Sequence, residues 1–188
     1  VHALPSEPII SSSQAEPLCD GDVTTLTVNN VEPNVTYYWS NGDIGTSTTV
    51  SQVGVYVVEA INENNCNSRS NTIAIHANPD VSRVPSGCYE VCNPHQICLP
   101  SMPDGSTFQW YLDGTALAGA NDADLTATQS GAYQLEITSE YGCMALSDPL
   151  DLMMFPTPEL TMNTIAAGCG NGGGSIELVT NSGTAPYT

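Results

Sequence analysis

The chain has 188 residues, with 20 Asp and Glu set against two arginines, Arg69 and Arg83, and no lysine, for a formal net charge of −18. Nucleic acids and anionic membrane surfaces make poor partners for such a chain, because both are recognised through Lys/Arg clusters. The missing lysine also removes Schiff-base chemistry, the phosphate grip of a P-loop and Lys-to-Asn isopeptide crosslinks.

From the N-terminus, "VHALPSEP" has neither a basic n-region nor an apolar h-region, so any targeting signal is expected to be removed or to lie outside this sequence. No apolar run approaches the roughly 18 residues of a membrane-crossing helix. A proline-marked "EPIISS" precedes Cys19. Leu26 and Val28, then Val35, Tyr37 and Trp39, follow the period of two that a half-buried strand requires, with "NGDIG" as a turn. "GVYVVEAINENNC" from Gly54 to Cys66 returns 77 positions later as "GAYQLEITSEYGC", from Gly131 to Cys143. Gly54/Gly131, Tyr56/Tyr133 and Cys66/Cys143 match without a gap.

The match extends both ways. "VEPNVTYYW" ending at Trp39 parallels "MPDGSTFQW" ending at Trp110, and Ile73 and Ile75 parallel Leu150 and Leu152. Tyr56, Val58 and Ala60 correspond to Tyr133, Leu135 and Ile137 on one strand face. No segment sustains a helical period. The pattern predicts an all-β antiparallel sandwich of roughly 75 residues, repeated in tandem. Its modules span 1–77 and 78–155, and a third, truncated one begins at 156–188, where "TPELTM" and Cys169 restart the pattern.

Seven cysteines without a C-x-x-C pair point to disulfides and hence to an oxidising, extracytoplasmic compartment. Cys19 and Cys66 are placed at the same end of the first sandwich, predicting a Cys19–Cys66 disulfide. In the second, aligning "CDGDVTTL" with "CNPHQICL" makes Cys92 the counterpart of Cys19. That predicts Cys92–Cys143 with Cys88–Cys98; the alternative is Cys98–Cys143 with Cys88–Cys92. Cys169 is left unpaired in this stretch.

"LCDGDVTTLTV", "YYWSNGDIGTSTTVSQVGVYVVEAINENNC" and "CGNGGGSIELVTNSGTAPYT" resemble the Ig-like and PKD-like repeats of secreted Bacteroidota surface proteins, the last of them the start of a gliding-motility adhesin repeat. The resemblance covers almost the whole chain. It rests on the Cys-x-Gly-Asp opening, the Trp-Ser-Asn-Gly turn and the Gly-x-Tyr strand, found in that order. It implies tandem Ig-like, disulfide-clasped β-sandwich domains at a bacterial cell surface, exported commonly by the type IX route with a C-terminal signal domain. The second module departs from the pattern, with Pro94 and His95 in place of Gly-Asp and two extra cysteines.

For catalysis the residues offer little. His2, His76 and His95 read as lying in a tail, at a strand end and in a turn, without metal-ligand spacing, and no serine lies in G-x-S-x-G. No catalytic or cofactor-binding residue is expected. Asp20 and Asp22, and Asn121, Asp122 and Asp124, offer the hard oxygens calcium prefers, although Asx residues in such loops are more often turn formers. Calcium is the one cofactor the sequence allows for, and the acidity itself points to surroundings rich in salt or calcium. Trp39 and Trp110 recur at one place in an alternating strand and read as core residues, not as a sugar-stacking platform. "NVT" at Asn34 fits the glycosylation sequon and is given little weight.

The expected function is therefore a non-catalytic structural or adhesive repeat segment of a large extracellular filament or surface protein. Its expected partners are neighbouring modules, copies of the same chain in a homo-oligomeric filament, or a cell-surface glycan. The alternative is a polysaccharide-binding or spacer module appended to a secreted enzyme.

Overall fold

The structure, a computed structural model, describes residues 2–92, 94–99, 105–166 and 173–183, without the side chains of Cys88, Glu90 and Cys92. Among the described residues every regular element is a strand. They fall into two compact units, one drawn from Val1–Asp80 together with Thr138–Ala145, the other from Val81–Ile137 with Leu146–Thr188.

The first unit contains β1 (Ile10–Ser12), β2 (Thr24–Val28), β3 (Val35–Trp39), β4 (Ser47–Val50), β5 (Gly54–Tyr56), β6 (Val58–Asn62), β7 (Asn67–Arg69) and β8 (Ile73–Ile75). One sheet runs β1-β2-β4; the other runs β3-β6-β7 and is continued by the β5-β8 pair. Alternation explains why they stack. Thr24, Leu26 and Val28 of β2 turn inward, as do Tyr37 and Trp39 of β3 and Val58 and Ala60 of β6. The inward residues of both sheets form one core, joined by Ile10, Val50, Ile73 and Ile75. Burying each large apolar side chain contributes about 1.5–3 kcal/mol. First, second and fourth strands against third, sixth and seventh is the grouping of an Ig-like sandwich.

The second unit contains β9 (Gly87–Cys92), β10 (His95–Ile97), β11 (Thr107–Leu112), β12 (Thr115–Ala116), β13 (Leu125–Ala127), β14 (Gly131–Thr138), β15 (Met144–Leu146) and β16 (Leu150–Phe155), followed by β17 (Leu160–Ile165) and β18 (Ser175–Thr180). β10 pairs with β13, and the larger sheet runs β12-β11-β14-β16-β9 with β15 on β14. Trp110, fully buried, centres a core that takes Ile97 and Ala127 from the small sheet and Tyr133, Leu135, Ile137, Leu150 and Leu152 from the large one. β9 runs parallel to β16, from Gly87 beside Leu150 to Cys92 beside Phe155. The first unit keeps one bridge of this kind, Cys19 beside His76. The hairpin β17–β18 is exposed along both strands.

The repeat is exact in its polar fittings. The indole N–H of Trp39 donates to the Gly45 carbonyl at 2.9 Å, and that of Trp110 to the Asp122 carbonyl at 3.0 Å. The hydroxyls of Tyr56 and Tyr133 donate to the carbonyls of Gln52 and Gln129, each at 2.8 Å. Ser70 and Ser147 perform a service that their sequence did not advertise. The Val58 N–H donates to Ser70 Oγ at 3.0 Å and the Leu135 N–H to Ser147 Oγ at 2.9 Å, which satisfies a core-strand donor where the ladder is interrupted. His95, expected in a turn, begins β10 instead, because Gln96 and Ile97 continue its pairing against β13.

Candidate functional site

The feature that sets this chain apart from two plain sandwiches is covalent. Thr138–Ala145 carries the turn between β14 and β15 into the first unit, where Cys143 is bonded to Cys19 with the Cα atoms 5.6 Å apart. The local sequence builds the socket. The Cys19 N–H donates to Asp22 Oδ2 at 2.9 Å and the Asp22 N–H to the Cys19 carbonyl at 2.9 Å, so "CDGD" closes into a β-turn whose last carboxylate caps its first amide. The His76 N–H donates to the Leu18 carbonyl at 2.8 Å and the Asp20 N–H to the His76 carbonyl at 2.8 Å, which moors the turn to the strand end. Leu18 is buried beneath it.

On the other side, the Ser139 N–H donates to the Cys143 carbonyl at 2.8 Å and the Gly142 N–H to the Ser139 carbonyl at 2.9 Å. Gly142 has φ +87° and stands so close to Pro17 that an added Cβ would lie 3.2 Å from its Cγ; glycine suits both the conformation and the space. Tyr141 stacks on His76 with ring centroids 3.9 Å apart and an interplanar angle of 11°. Hydrogen bonding to Glu140, then its negative charge, raises the Tyr141 hydroxyl above its ordinary pKa, so the ring is neutral at physiological pH. Glu16, Pro17, Leu18, Ala74, His76 and Tyr141 line a shallow cleft of about 320 Å³ beside the bond. Cys143 itself is fully buried.

This bond corrects the expected pairings. Cys19 runs beside His76, whereas Cys66 stands just ahead of β7, ten residues earlier along the same ladder. Roughly 30 Å of extended chain separates the two ends, far beyond the roughly 7 Å limit for bridged Cα atoms. Cys66 carries a free thiol. The second repeat repeats the lesson. Cys92 ends beside Phe155, twelve residues along from Cys143, so Cys92–Cys143 does not form; Cys143 is taken by Cys19, and Cys98 is an exposed free thiol, which removes Cys88–Cys98 and Cys98–Cys143 as well. Cys88 and Cys92 occupy one strand four residues apart, roughly 13 Å of extended backbone. Cys169 lies outside the described residues.

The other candidates are placed as turn and surface groups. Asp124 Oδ1 accepts the Leu99 N–H at 2.9 Å, and Asp122 uses its carbonyl on Trp110. Asn121 is exposed, and the Asp20 carbonyl accepts the Asn78 amide. Among the described residues no group of three or more His, Cys, Asp or Glu side chains is arranged to hold a metal ion. Trp39 and Trp110 are 3% and 0% exposed and unavailable to stack on a sugar. His2 is exposed, and His95 lines a groove of about 430 Å³ with Cys98, Tyr89 and Ile97. No helix among the described residues is long and apolar enough to cross a membrane.

The chain matches no protein-family model and no curated protein sequence. Solved structures to which it is similar include a marsupial T cell receptor (13% identity, 84% of this chain and 76% of that one, TM-score 0.40). Fibronectin(III)-like modules of Clostridium thermocellum CbhA match at 12% identity over 79% of this chain and 94% of theirs, TM-score 0.34. The Bacteroides ovatus protein SGBP-B, solved with a mixed-linkage heptasaccharide, matches at 12% identity over 89% of this chain and 51% of its own, TM-score 0.29. Likenesses this loose carry nothing about ligand or activity.

Proposed function

We propose that the chain is a structural and adhesive repeat segment of a large bacterial surface or extracellular filament protein, of the kind its motifs resemble, exported by a type IX route. The observation that carries this reading is the Cys19–Cys143 bond. It ties the hairpin turn of one repeat to the opening of the repeat before it, across a sequence separation of 124 residues. A spacer needs successive repeats that stay joined, and needs no active site. The bond also calls for an oxidising compartment, and the net charge of −18 keeps neighbouring chains soluble and apart until salt or divalent cations screen it.

Electron microscopy of the native, non-reduced parent protein, with and without a calcium chelator, tests the proposal. Regular beaded rods or multi-chain fibres are the expected result, and collapse on chelation would place divalent cations at module junctions. Short monomers beside a bulky catalytic domain would overturn it in favour of an enzyme appendage.

A further inference from the structure

The two sandwiches differ at the edge where the opening of the repeat meets its last strand. In the first, that parallel pairing is a single bridge, Cys19 beside His76, and the chain then turns away through Asp20 to Asp22. In the second it runs for the six residues of β9, which ends the large sheet, and among the described residues no strand pairs with its far side. None of the other edge strands of the two sandwiches is longer than five residues. An open edge of this length is a template for another strand.

Tyr89 marks the edge as incomplete. Its register sets it opposite the buried Leu152, and matching the Glu90–Met153 pair to the Cys19–His76 bridge puts it in the place of Leu18. Leu18 is 1% exposed, whereas Tyr89 is 50% exposed. Tyr89 also lines two clefts, one of about 480 Å³ with Asp151 and Met153, the other of about 430 Å³ with Ile97, Leu150 and Leu152. A large ring at a core position, half in water, is left for something outside the sandwich to cover.

The backbone defines what fits. The Gly87 N–H donates to the Pro149 carbonyl at 3.2 Å, so Gly87, Tyr89 and Val91 direct their amides at β16. Successive residues of a strand point these groups to opposite sides, which turns the N–H and C=O of Cys88, Glu90 and Cys92 outward. A second β9, running antiparallel, carries the same groups at the same spacing. Centring the pair on Glu90 would set like charges face to face, which is destabilising. Centring it on Cys88 or Val91 engages only three residues of each strand. Centring it on Tyr89 engages five, Gly87 to Val91, sets Cys88 against Glu90 and brings the two rings together at the closer type of cross-strand pair.

We infer that β9 is a docking edge for a second copy of this chain, the two β9 strands pairing antiparallel with Tyr89 opposite Tyr89, so that the two large sheets become one. The contact is isologous, since each copy offers the same strand. Two chains of charge −18 repel each other, so salt strengthens this contact where it would weaken an ion-paired one. Side-by-side pairing of this kind is independent of how successive repeats of one chain are joined.

Sedimentation equilibrium of the purified full chain should show a concentration-dependent dimer, absent from non-reducing denaturing gels and tighter at about 1 M than at about 0.01 M salt. Glu90→Pro removes an outward N–H on an edge strand, where proline is tolerated, and does so twice in the symmetric pair; the dimer should weaken at least about tenfold with the circular dichroism unchanged. Tyr89→Asp, which touches no backbone bond, should weaken it similarly, and Glu90→Gln should leave it in place. Photo-oxidative cross-linking should yield dityrosine between two copies of Tyr89. A monomer at every concentration and salt, a dimer unmoved by Tyr89→Asp, or dityrosine at other tyrosines only would each overturn the inference. A dimer lost instead with Met162→Asp would do so too, and would place the contact on the exposed β17–β18 hairpin.

Discussion

The two Gly-x-Tyr strands share their glycine, tyrosine and glutamate and differ in build. β14 runs unbroken from Gly131 to Thr138, whereas its counterpart is interrupted at Val57 between β5 and β6. A pleated strand buries alternate residues, and Tyr133, Leu135 and Ile137 obey, with the half-exposed Gln134 reaching across to the Ser147 carbonyl. The first copy places Val57 where the second has Gln134, and Tyr56, Val57 and Val58 are all buried. Three consecutive inward residues cannot share one pleat. The backbone swivels at Val57 and pairs there with Ser40, through Ser40 N–H to the Val57 carbonyl at 3.0 Å and Val57 N–H to Ser40 Oγ at 3.2 Å. The buried valine at the place of Gln134 thus coincides with a break in the strand's hydrogen bonds, while the core positions are kept.

The sharpest way to separate the copies is at their cysteines. Cys143→Ser opens a bond that closes a long loop and should destabilise the first unit by about 3–5 kcal/mol, while Cys66→Ser in the monomer should change it by about 0.5 kcal/mol or less. Denaturant unfolding of both variants checks this, and equal effects would mean that the bond does not form in solution.

The glycines come next. Gly131 has φ +150°, and an added Cβ would stand 2.6 Å from Leu112 Cδ1 and 2.9 Å from an Asp113 carboxylate oxygen, the carboxylate that also accepts the Ala132 N–H. Gly54 would meet only the Tyr56 ring, at 3.6 Å or more. Gly131→Ala should cost about 2–4 kcal/mol from a strained conformation plus overpacking, and Gly54→Ala about 0.5 kcal/mol or less. Amide hydrogen exchange across β14 and β5 reads the two separately.

The smallest effect concerns the turn beneath each tryptophan. In the first repeat, Asp43 accepts hydrogen bonds from the Thr48 hydroxyl and the Asn41 amide, and these, the Thr48 bond foremost, hold its carboxyl below the ordinary value of 3.8. A lowered folded pKa means that the contribution is fully present above the ordinary carboxylate value and is lost as pH falls through the lowered one. Protection of the Gly42 and Gly45 amides, taken relative to their intrinsic exchange rates, should therefore fall below about pH 4, and Asp43→Asn should abolish that dependence.

Much of the architecture was legible because a period of two and a duplicated stretch are local signals. Trp39, Trp110, the alternating faces of β14 and the Ile73–Ile75 and Leu150–Leu152 pairs all stand where their spacing put them. Disulfide pairing was not legible, because it depends on which end of the sandwich the opening cysteine occupies. That in turn depends on a parallel pairing, Cys19 with His76 or β9 with β16, between residues 57 or more positions apart. Ser70 and Ser147 were visible as a repeat at the common spacing, but a serine reads as surface unless its neighbour's N–H is known to be orphaned. The clusters at Asp20 and Asp124 read as turns more readily than as ligands, and only coordinates could show Asp22 and Asp124 capping backbone amides.

The bond between Cys19 and Cys143 has a mechanical meaning as well. Tension applied at the two ends of the chain passes straight from one sulfur to the other, so everything from β2 to β14 lies outside the line of force. With 124 residues of separation and about 3.3–3.6 Å per extended residue, roughly 400 Å of contour is withheld from stretching. Of the strands described, β1 on one side and β15 to β18 on the other bear load directly. Reduction of this bond would release that contour, so the redox state of the surroundings sets how much chain can be drawn out between the two ends.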